Sequence, residues 1–225
     1  IILKKINLAK KYFDNINIDL IYAVNNETID DLKKDLKMFL SIDIPHISCY
    51  SLIIEKNTIL YNKNEEYISE DLDRLMYDTI EKTLSSNYCH YEISNYAKKG
   101  FESKHNLCYW NNKEYYGFGL SAASFIENKR INNTRNLKKY IEFNRDKEEE
   151  ILTKEDKIRY ELILGFRKIE GINKKEFYNK YNIDIHNLYN INELLKKGYL
   201  NEDDEYIFIP KEYIYVSNDI LINFI

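Results

Sequence analysis

The chain has 225 residues, of which 44% are hydrophobic and 31% are charged, a balance typical of a globular protein with one large or two small domains. Its formal net charge of −4 argues against nucleic-acid binding, because neutralising phosphates requires a basic surface. No apolar run reaches the ~20 residues that a membrane span needs, and no segment resembles a signal peptide.

The first part of the chain alternates helix and strand patterns. The predicted elements are a helix end at 2–13, strands at 16–24, 46–54 and 89–94, and helices that begin at the caps Thr28 and Ser69. This alternation implies βαβ units and therefore a parallel sheet. Three such strands make about half of a β/α barrel. We therefore expect an α/β fold in which residues 1–143 form a partial, TIM-like β/α barrel.

The second part of the chain changes in pattern. Residues 95–131 are irregular, aromatic and glycine-containing, 136–143 is a short predicted helix, and 144–150 reads as a charged linker. The predicted elements beyond it are helices at 153–169, 174–181 and 191–197, strand-like pieces at 206–209 and 213–215, and a closing segment at 220–225. Helices followed by a small β-ribbon predict a winged-helix-like domain at 151–225. Because it is not visibly basic, we expect it to have a structural or protein-contact role.

Three cysteines, Cys49, Cys89 and Cys108, are widely spaced and form no C-x-x-C pair. This spacing favours neither a zinc site nor a compact cluster, and free thiols without a secretion signal indicate a reducing, cytoplasmic location. The chain begins at Ile1 without an initiator methionine and enters an amphipathic stretch without a helix start signal. We therefore expect it to be part of a longer polypeptide.

One candidate binding residue is Asp19, which lies in the middle of an apolar predicted strand. A buried carboxylate needs a partner or a ligand, and ligands of parallel sheets lie beyond the carboxyl ends of the strands. Asp19 is suited to bind a ribose or an amino group. A carboxylate satisfied by a nearby lysine or by backbone is the alternative.

A second candidate is the segment from His105 to Trp110, which holds the only tryptophan. An imidazole among aromatic rings suits a flat apolar ligand such as a porphyrin, with His105 as a possible axial ligand of haem iron. A histidine that simply packs against its aromatic neighbours remains open as the alternative.

Several ordered motifs together resemble one known family. They are the runs Asn17–Tyr22, Ile44–Ser48 with Tyr50–Leu52, Tyr91–Ala97, Phe101–Trp110 and Asn132–Ile141. In this order they are similar to the oxygen-independent coproporphyrinogen III oxidase-like family of radical-SAM proteins, and the similarity covers nearly the whole chain. The intact H-N-x-x-Y-W pattern at His105–Trp110 resembles the haem-chaperone branch in particular.

The resemblance implies a partial β/α barrel that binds S-adenosylmethionine beside a [4Fe–4S] cluster. Asp19 aligns with an acid that contacts S-adenosylmethionine, and Ile53 with a residue whose backbone lies near it. His105, with Tyr109 and Trp110, falls in the motif associated with haem handling. The implied partners are haem and apo-haem proteins such as respiratory enzymes.

The sequence departs from the family pattern in three places. The C-x-x-x-C-x-x-C motif does not occur in these residues, so they supply no cluster ligand. The glycine- and proline-rich turn after Tyr22 reads Ala23–Glu27, and the expected G-x-G-x-G-A-H-S reads Gly117–Ser124, with Ala123 in place of the histidine.

A haem-chaperone-like protein without the cluster-binding segment is therefore the leading interpretation, and a separate N-terminal half is a further expected partner. A coproporphyrinogen III oxidase and a catalytically empty scaffold are the alternatives. On its own, the chain is expected to be inactive in radical chemistry.

Overall fold

The computed structural model describes residues 1–63, 68–143, 146–188 and 190–225. The chain divides into two compact units, Ile1–Glu102 and Ser103–Ile225. In the described residues, no helix combines the length and the apolar character that crossing a membrane requires.

The first unit contains an open, four-stranded sheet with helices. Its elements are α1 (Ile2–Ala9), β1 (Asn17–Tyr22), α2 (Ile29–Ile42), β2 (His46–Ser51), α3 (Ile59–Asn62), α4 (Glu70–Leu84), β3 (Cys89–Glu92) and β4 (Asn95–Ala97). The strand order is β1-β2-β4-β3, and β1 and β2 are parallel with Asn17 opposite His46. The α/β class predicted from the sequence is confirmed.

Both predicted helix caps of this unit are formed. The Thr28 hydroxyl accepts a hydrogen bond from the Asp31 amide, and the Asp31 carboxylate accepts one from the Thr28 amide, which completes a capping box. The hydroxyl of Ser69 accepts from the amide of Leu72 at the start of α4. These bonds satisfy amide groups that a helix start leaves without partners.

The prediction of a purely parallel sheet is wrong in one respect. The predicted strand at 89–94 is half of a hairpin, because β4 returns antiparallel to β3 and occupies the place beside β2. The register of the hairpin shifts between His90 and Glu92, where a bulge leaves Tyr91 as the extra residue. β3 therefore keeps the direction of β2 but does not pair with it.

One face of the sheet packs on α2 and α4. The buried side chains Leu32, Leu36 and Phe39 recur at helical spacing along α2 and meet the core residues of α4. Ile47 of β2 points into the same cluster. Because strand side chains alternate between faces, the polar residues His46 and Ser48 point to the opposite face of the sheet.

The second unit combines two small antiparallel sheets with helices. Its elements are α5 (Lys104–Trp110), β5 (Ala123–Ile126), β6 (Lys129–Asn133), α6 (Leu137–Ile141), β7 (Lys147–Ile151), α7 (Lys154–Gly165), β8 (Ile172–Asn173), α8 (Lys174–Tyr181), α9 (Ile191–Lys196), β9 (Asn201–Glu202), β10 (Tyr206–Phe208) and α10 (Ser217–Leu221). The sheets have the orders β5-β6-β7 and β8-β10-β9.

The segment predicted as a charged linker contains a strand. Residues 144 and 145 lie outside the described residues, whereas Lys147–Ile151 pair antiparallel with β6. All five residues of β7 are exposed, and Glu149 forms an ion pair with Lys129 at 3.0 Å. A solvated edge strand and a linker share this composition, which is why charge alone did not separate them. In the sequence, the first compact unit ends at Glu102 and the second begins at Ser103. The predicted domain boundaries at 143 and 151 stay a prediction.

The last 75 residues adopt the expected winged-helix-like arrangement of helices with a small antiparallel sheet. Thr153 and Asp156 form the predicted capping box of α7, and Gly198 follows α9 with φ +74°. The strand predicted at 213–215 is wrong: Lys211–Val216 form a 3₁₀ helix. Pro210 precedes this helix, and its carbonyl accepts from the Tyr213 amide, which begins a helical turn.

Candidate functional site

Helix α5 carries the residues that the sequence connects with haem. Its cap is Ser103, whose hydroxyl accepts from the amide of Asn106. His105 and Tyr109 are four residues apart and therefore share one side of the helix. Their rings meet edge to face with centroids 4.8 Å apart, and Tyr109 contacts Tyr115 in the same way at 4.6 Å. Tyr109 thus supports the imidazole from one side, and Tyr115 in turn supports Tyr109.

The imidazole of His105 is available to a ligand. The residue is exposed, and within the described part of the chain neither ring nitrogen has a protein hydrogen bond. His186 provides the contrast, because its two nitrogens are bound by Asp184 at 2.8 Å and Glu202 at 3.0 Å. A neutral imidazole nitrogen without a partner is a common ligand of metal ions, including haem iron.

Trp110 does not join this ring group. It follows His105 by five residues, which turns it to another side of α5. The guanidinium of Arg167 lies 5.5 Å from the centre of the indole ring. Of the two aromatic residues predicted to accompany His105, the structure brings Tyr109 next to it and places Trp110 elsewhere.

Asp19 is exposed, which corrects the prediction of a buried carboxylate. It lies on β1, an edge strand of the four-stranded sheet, and on the polar face opposite α2 and α4. Its Oδ1 accepts a hydrogen bond of 2.7 Å from Asn17 Nδ2. Ile53, the other candidate for S-adenosylmethionine, follows the end of β2 by two residues and is 69% exposed.

A hydrogen-bonded group that the sequence analysis did not predict lies beside Asp19. His46 Nδ1 contacts Asn17 Oδ1 at 2.6 Å, and His46 Nε2 contacts the Tyr91 hydroxyl at 2.8 Å. Burial lowers the pKa of His46, and the carboxylates of Asp19 and Glu102 oppose this shift only in part. Alternating polar residues in two apolar strands were the available signal for this group.

The cysteines do not fit a [4Fe–4S] cluster. Cys49 is buried in the core of the first unit, where burial raises the pKa of its thiol, whereas Cys89 is exposed and Cys108 is partly exposed. A cluster needs several converging thiolates. Among the residues that the structure describes, no group of three or more His, Cys, Asp or Glu side chains could hold a metal ion.

Two family glycine positions keep a left-handed backbone although glycine is absent. Ala23 has φ +64° in the turn after β1, and Ser121 has φ +61° in the loop before β5. In the same loop, a Cβ atom on Gly117 would lie 2.0 Å from the Ala123 carbonyl oxygen, so only glycine fits there. A left-handed backbone costs each of these two residues about 1–2 kcal/mol. Ala123, in place of the family histidine, is exposed.

Comparisons with known proteins agree with these observations. Residues 152–212 match the family model described as the HemN C-terminal domain. Heme chaperone HemW of Lactococcus lactis subsp. lactis is 36% identical over 228 residues, which cover 97% of this chain and 60% of the relative. Heme chaperone HemW of Bacillus subtilis is 33% identical over 220 residues, which cover 92% of this chain and 58% of the relative. The chain thus spans about 60% of the length of these relatives.

The solved structure of Escherichia coli coproporphyrinogen III oxidase (HemN), described as a radical SAM enzyme, has the same fold. It superposes on 99% of this chain and 58% of its own with a TM-score of 0.79, at 17% sequence identity. The predicted C-terminal part of a partial β/α barrel, followed by a helical domain, is thereby confirmed. The ordered motifs, the fold and the similar sequences agree: the chain belongs to the oxygen-independent coproporphyrinogen III oxidase-like family of radical-SAM proteins, in its haem-chaperone branch.

Proposed function

We propose that this chain is the haem-binding part of a haem chaperone, which holds haem through His105 and passes it to apo-proteins. The observation that carries the proposal is the exposed His105 imidazole, whose nitrogens have no partner in the described residues and whose ring rests edge-on against Tyr109. The proposal is also supported by the similar sequences, which are named heme chaperones.

The exposure of His105 suits delivery rather than storage. A haem that is held at a surface histidine can be approached by the ligands of an acceptor protein, whereas a haem in a closed pocket has to be released first. The flat faces of Tyr109 and Tyr115 offer the aromatic contact that a macrocycle favours. Apo-haem proteins such as respiratory enzymes are the proposed recipients.

S-adenosylmethionine is the second proposed ligand, at Asp19 and Ile53. Asp19 Oδ1 is engaged by Asn17, and Oδ2 has no hydrogen-bond partner among the described residues, so it can accept from an amino or hydroxyl group. The chemistry that S-adenosylmethionine supplies in radical enzymes depends on a cluster, and the cysteines of this chain do not fit one. A separate polypeptide segment with the thiolates is therefore part of the proposal.

The alternative functions have less support. An oxidase acting on coproporphyrinogen III would share the fold, which the resemblance to HemN also reflects, but the similar sequences carry the chaperone name. A scaffold that binds no ligand would not require an exposed imidazole with unbound nitrogens. A cytoplasmic location belongs to the proposal as well, and the three free cysteines support it.

The proposal is tested by haem titration followed by transfer. Purified chain is titrated with ferric haem while the Soret band is recorded, and the loaded chain is then mixed with an apocytochrome of the respiratory type. We expect saturation near one haem per chain and transfer of haem to the apocytochrome. Binding without a saturation point, or a complex that never releases haem to any acceptor, would exclude a chaperone role.

A further inference from the structure

Four side chains form a continuous line of hydrogen bonds across the polar face of the first sheet. The Tyr91 hydroxyl meets His46 Nε2 at 2.8 Å, His46 Nδ1 meets Asn17 Oδ1 at 2.6 Å, and Asn17 Nδ2 meets Asp19 Oδ1 at 2.7 Å. The line begins on β3, passes through β2 and ends on β1. It joins residues that are up to 72 positions apart in the sequence (91−19).

The chemistry of the groups gives the line a direction. Asn17 Nδ2 can only donate, and Asp19 in its charged form can only accept, so the amide oxygen of Asn17 must face His46. That oxygen accepts from His46 Nδ1, which must therefore carry a proton. In a neutral imidazole Nε2 is then an acceptor, and the Tyr91 hydroxyl donates to it. Ser48 lies beside the same amide, with its Oγ 3.1 Å from Asn17 Nδ2 and 3.3 Å from Asn17 Oδ1, and a hydroxyl can bond to either atom.

The two ends of the line differ in exposure. His46 and Tyr91 are buried, at 5% and 8% exposure, whereas Asp19 is exposed. Asn17 lies opposite His46, and Asp19 opposite Ser48, in the parallel pairing of β1 and β2, so their side chains share one face. The buried His46 and Tyr91 thus anchor the exposed Asn17, which in turn donates to the Asp19 carboxylate.

We propose that Tyr91, His46 and Asn17 are positioning residues that fix the Asp19 carboxylate so that its Oδ2 accepts a hydrogen bond from S-adenosylmethionine. This inference rests on the proposed function, which assigns that ligand to Asp19. His46 contributes by donating to the Asn17 amide oxygen and so anchoring this side chain on the sheet. Without that bond the Asn17 side chain can leave its position, and the Asp19 carboxylate loses the donor that orients it.

The first part of the test needs no ligand. Nitrogen-15 NMR of the full chain reports which ring nitrogen of His46 carries the proton, and an Asn17→Ala variant removes its acceptor. We expect a neutral, Nδ1-protonated ring whose Nδ1 signal shifts in Asn17→Ala. A ring that is protonated on Nε2, or a ring whose signals do not change in Asn17→Ala, would overturn the relay, that is, the line of hydrogen bonds from Tyr91 to Asp19. This outcome does not depend on what the chain binds.

The second part uses S-adenosylmethionine itself as the probe, in chemical-shift titrations up to millimolar concentration. His46→Gln places its amide near Nε2 and loses the donor to Asn17, whereas His46→Asn keeps a donor near Nδ1. We expect Asp19→Asn and His46→Gln to weaken binding roughly tenfold and His46→Asn to recover most of the loss. His90→Gln is the matched control, because His90 is also buried but bonds to the Ile93 carbonyl and stacks on Tyr96.

The outcomes separate the relay from the proposed function. Equal losses in His46→Gln, His46→Asn and His90→Gln would indicate a merely structural role and overturn the proposal. A wild-type chain with the expected His46 tautomer but no binding of S-adenosylmethionine would refute the ligand assignment to Asp19, and with it the role of the relay toward that ligand.

Discussion

The tight turn at Gly171 in the second unit gives a stability prediction that can be worked out from distances. Gly171 has φ +77°, and a Cβ atom there would lie 2.0 Å from the Ile207 carbonyl oxygen and 2.7 Å from Phe208 Cα. Ile207 pairs with Ile172 in the sheet that joins β8 and β10. A methyl group at position 171 therefore has to push two strands apart.

Two penalties add in Gly171→Ala. A left-handed backbone costs a non-glycine residue about 1–2 kcal/mol, and forced repacking typically adds about 1–3 kcal/mol. The smaller chain entropy of alanine in the unfolded state returns about 0.4–1 kcal/mol. The expected loss in the free energy of unfolding is about 2–4 kcal/mol, a large part of the ~5–15 kcal/mol that stabilises a typical domain.

The control is Gly198→Ala. Gly198 has nearly the same backbone angle, φ +74°, but no atom lies within 4 Å of the position of its missing Cβ. It carries the conformational penalty alone, so we expect a loss of about 1 kcal/mol or less. Guanidinium unfolding followed by the fluorescence of Trp110, the only tryptophan, reports on the unit that holds both glycines. Equal losses in the two variants would refute the argument from steric contact.

Four further predictions concern other parts of the chain. Ala23→Gly relieves a left-handed alanine but also removes a buried methyl group and adds chain entropy to the unfolded state, so the free energy of unfolding should change by less than about 1 kcal/mol in urea titrations. Thr153→Ala removes the hydroxyl that caps α7 and should lower that free energy by about 1 kcal/mol in the Trp110 assay. Burial opposes protonation of His186, but the hydrogen bonds that its ring donates to Asp184 and Glu202 outweigh it and raise its pKa above 6.5. This stabilisation is present below pH ~6.5 and disappears as pH rises through the higher folded value. Thermal unfolding should show His186→Gln to be destabilising at pH 5.5 and nearly neutral at pH 9. Anaerobic treatment of the chain with iron and sulfide should leave no stoichiometric cluster absorbing near ~400 nm, because converging thiolates are missing.

Local chemistry made much of the fold predictable. The caps at Thr28, Ser69 and Thr153 depend on residues only three positions apart, and each forms as expected. The contact between His105 and Tyr109 was not predicted in this way, because residues 95–131 read as irregular and the helix Lys104–Trp110 that brings the two rings together was missed.

Features that depend on distant pairing were not predictable. β4 is only three residues long, and its place beside β2 depends on hydrogen bonds to residues almost 50 positions away. The exposure of Asp19 follows from its edge strand and from the face on which it lies, and neither is visible in an apolar run. The relay from Tyr91 to Asp19 joins three strands through side chains, so only coordinates could reveal it.

The most direct test of the account is haem titration of His105→Ala, with His186→Ala as the matched control. Both histidines belong to the second unit, but the nitrogens of His186 are engaged by Asp184 and Glu202. We expect His105→Ala to lose the saturable Soret shift or to weaken it at least tenfold, and His186→Ala to keep it. Equal haem binding by the wild type and His105→Ala would contradict the assignment of haem to α5.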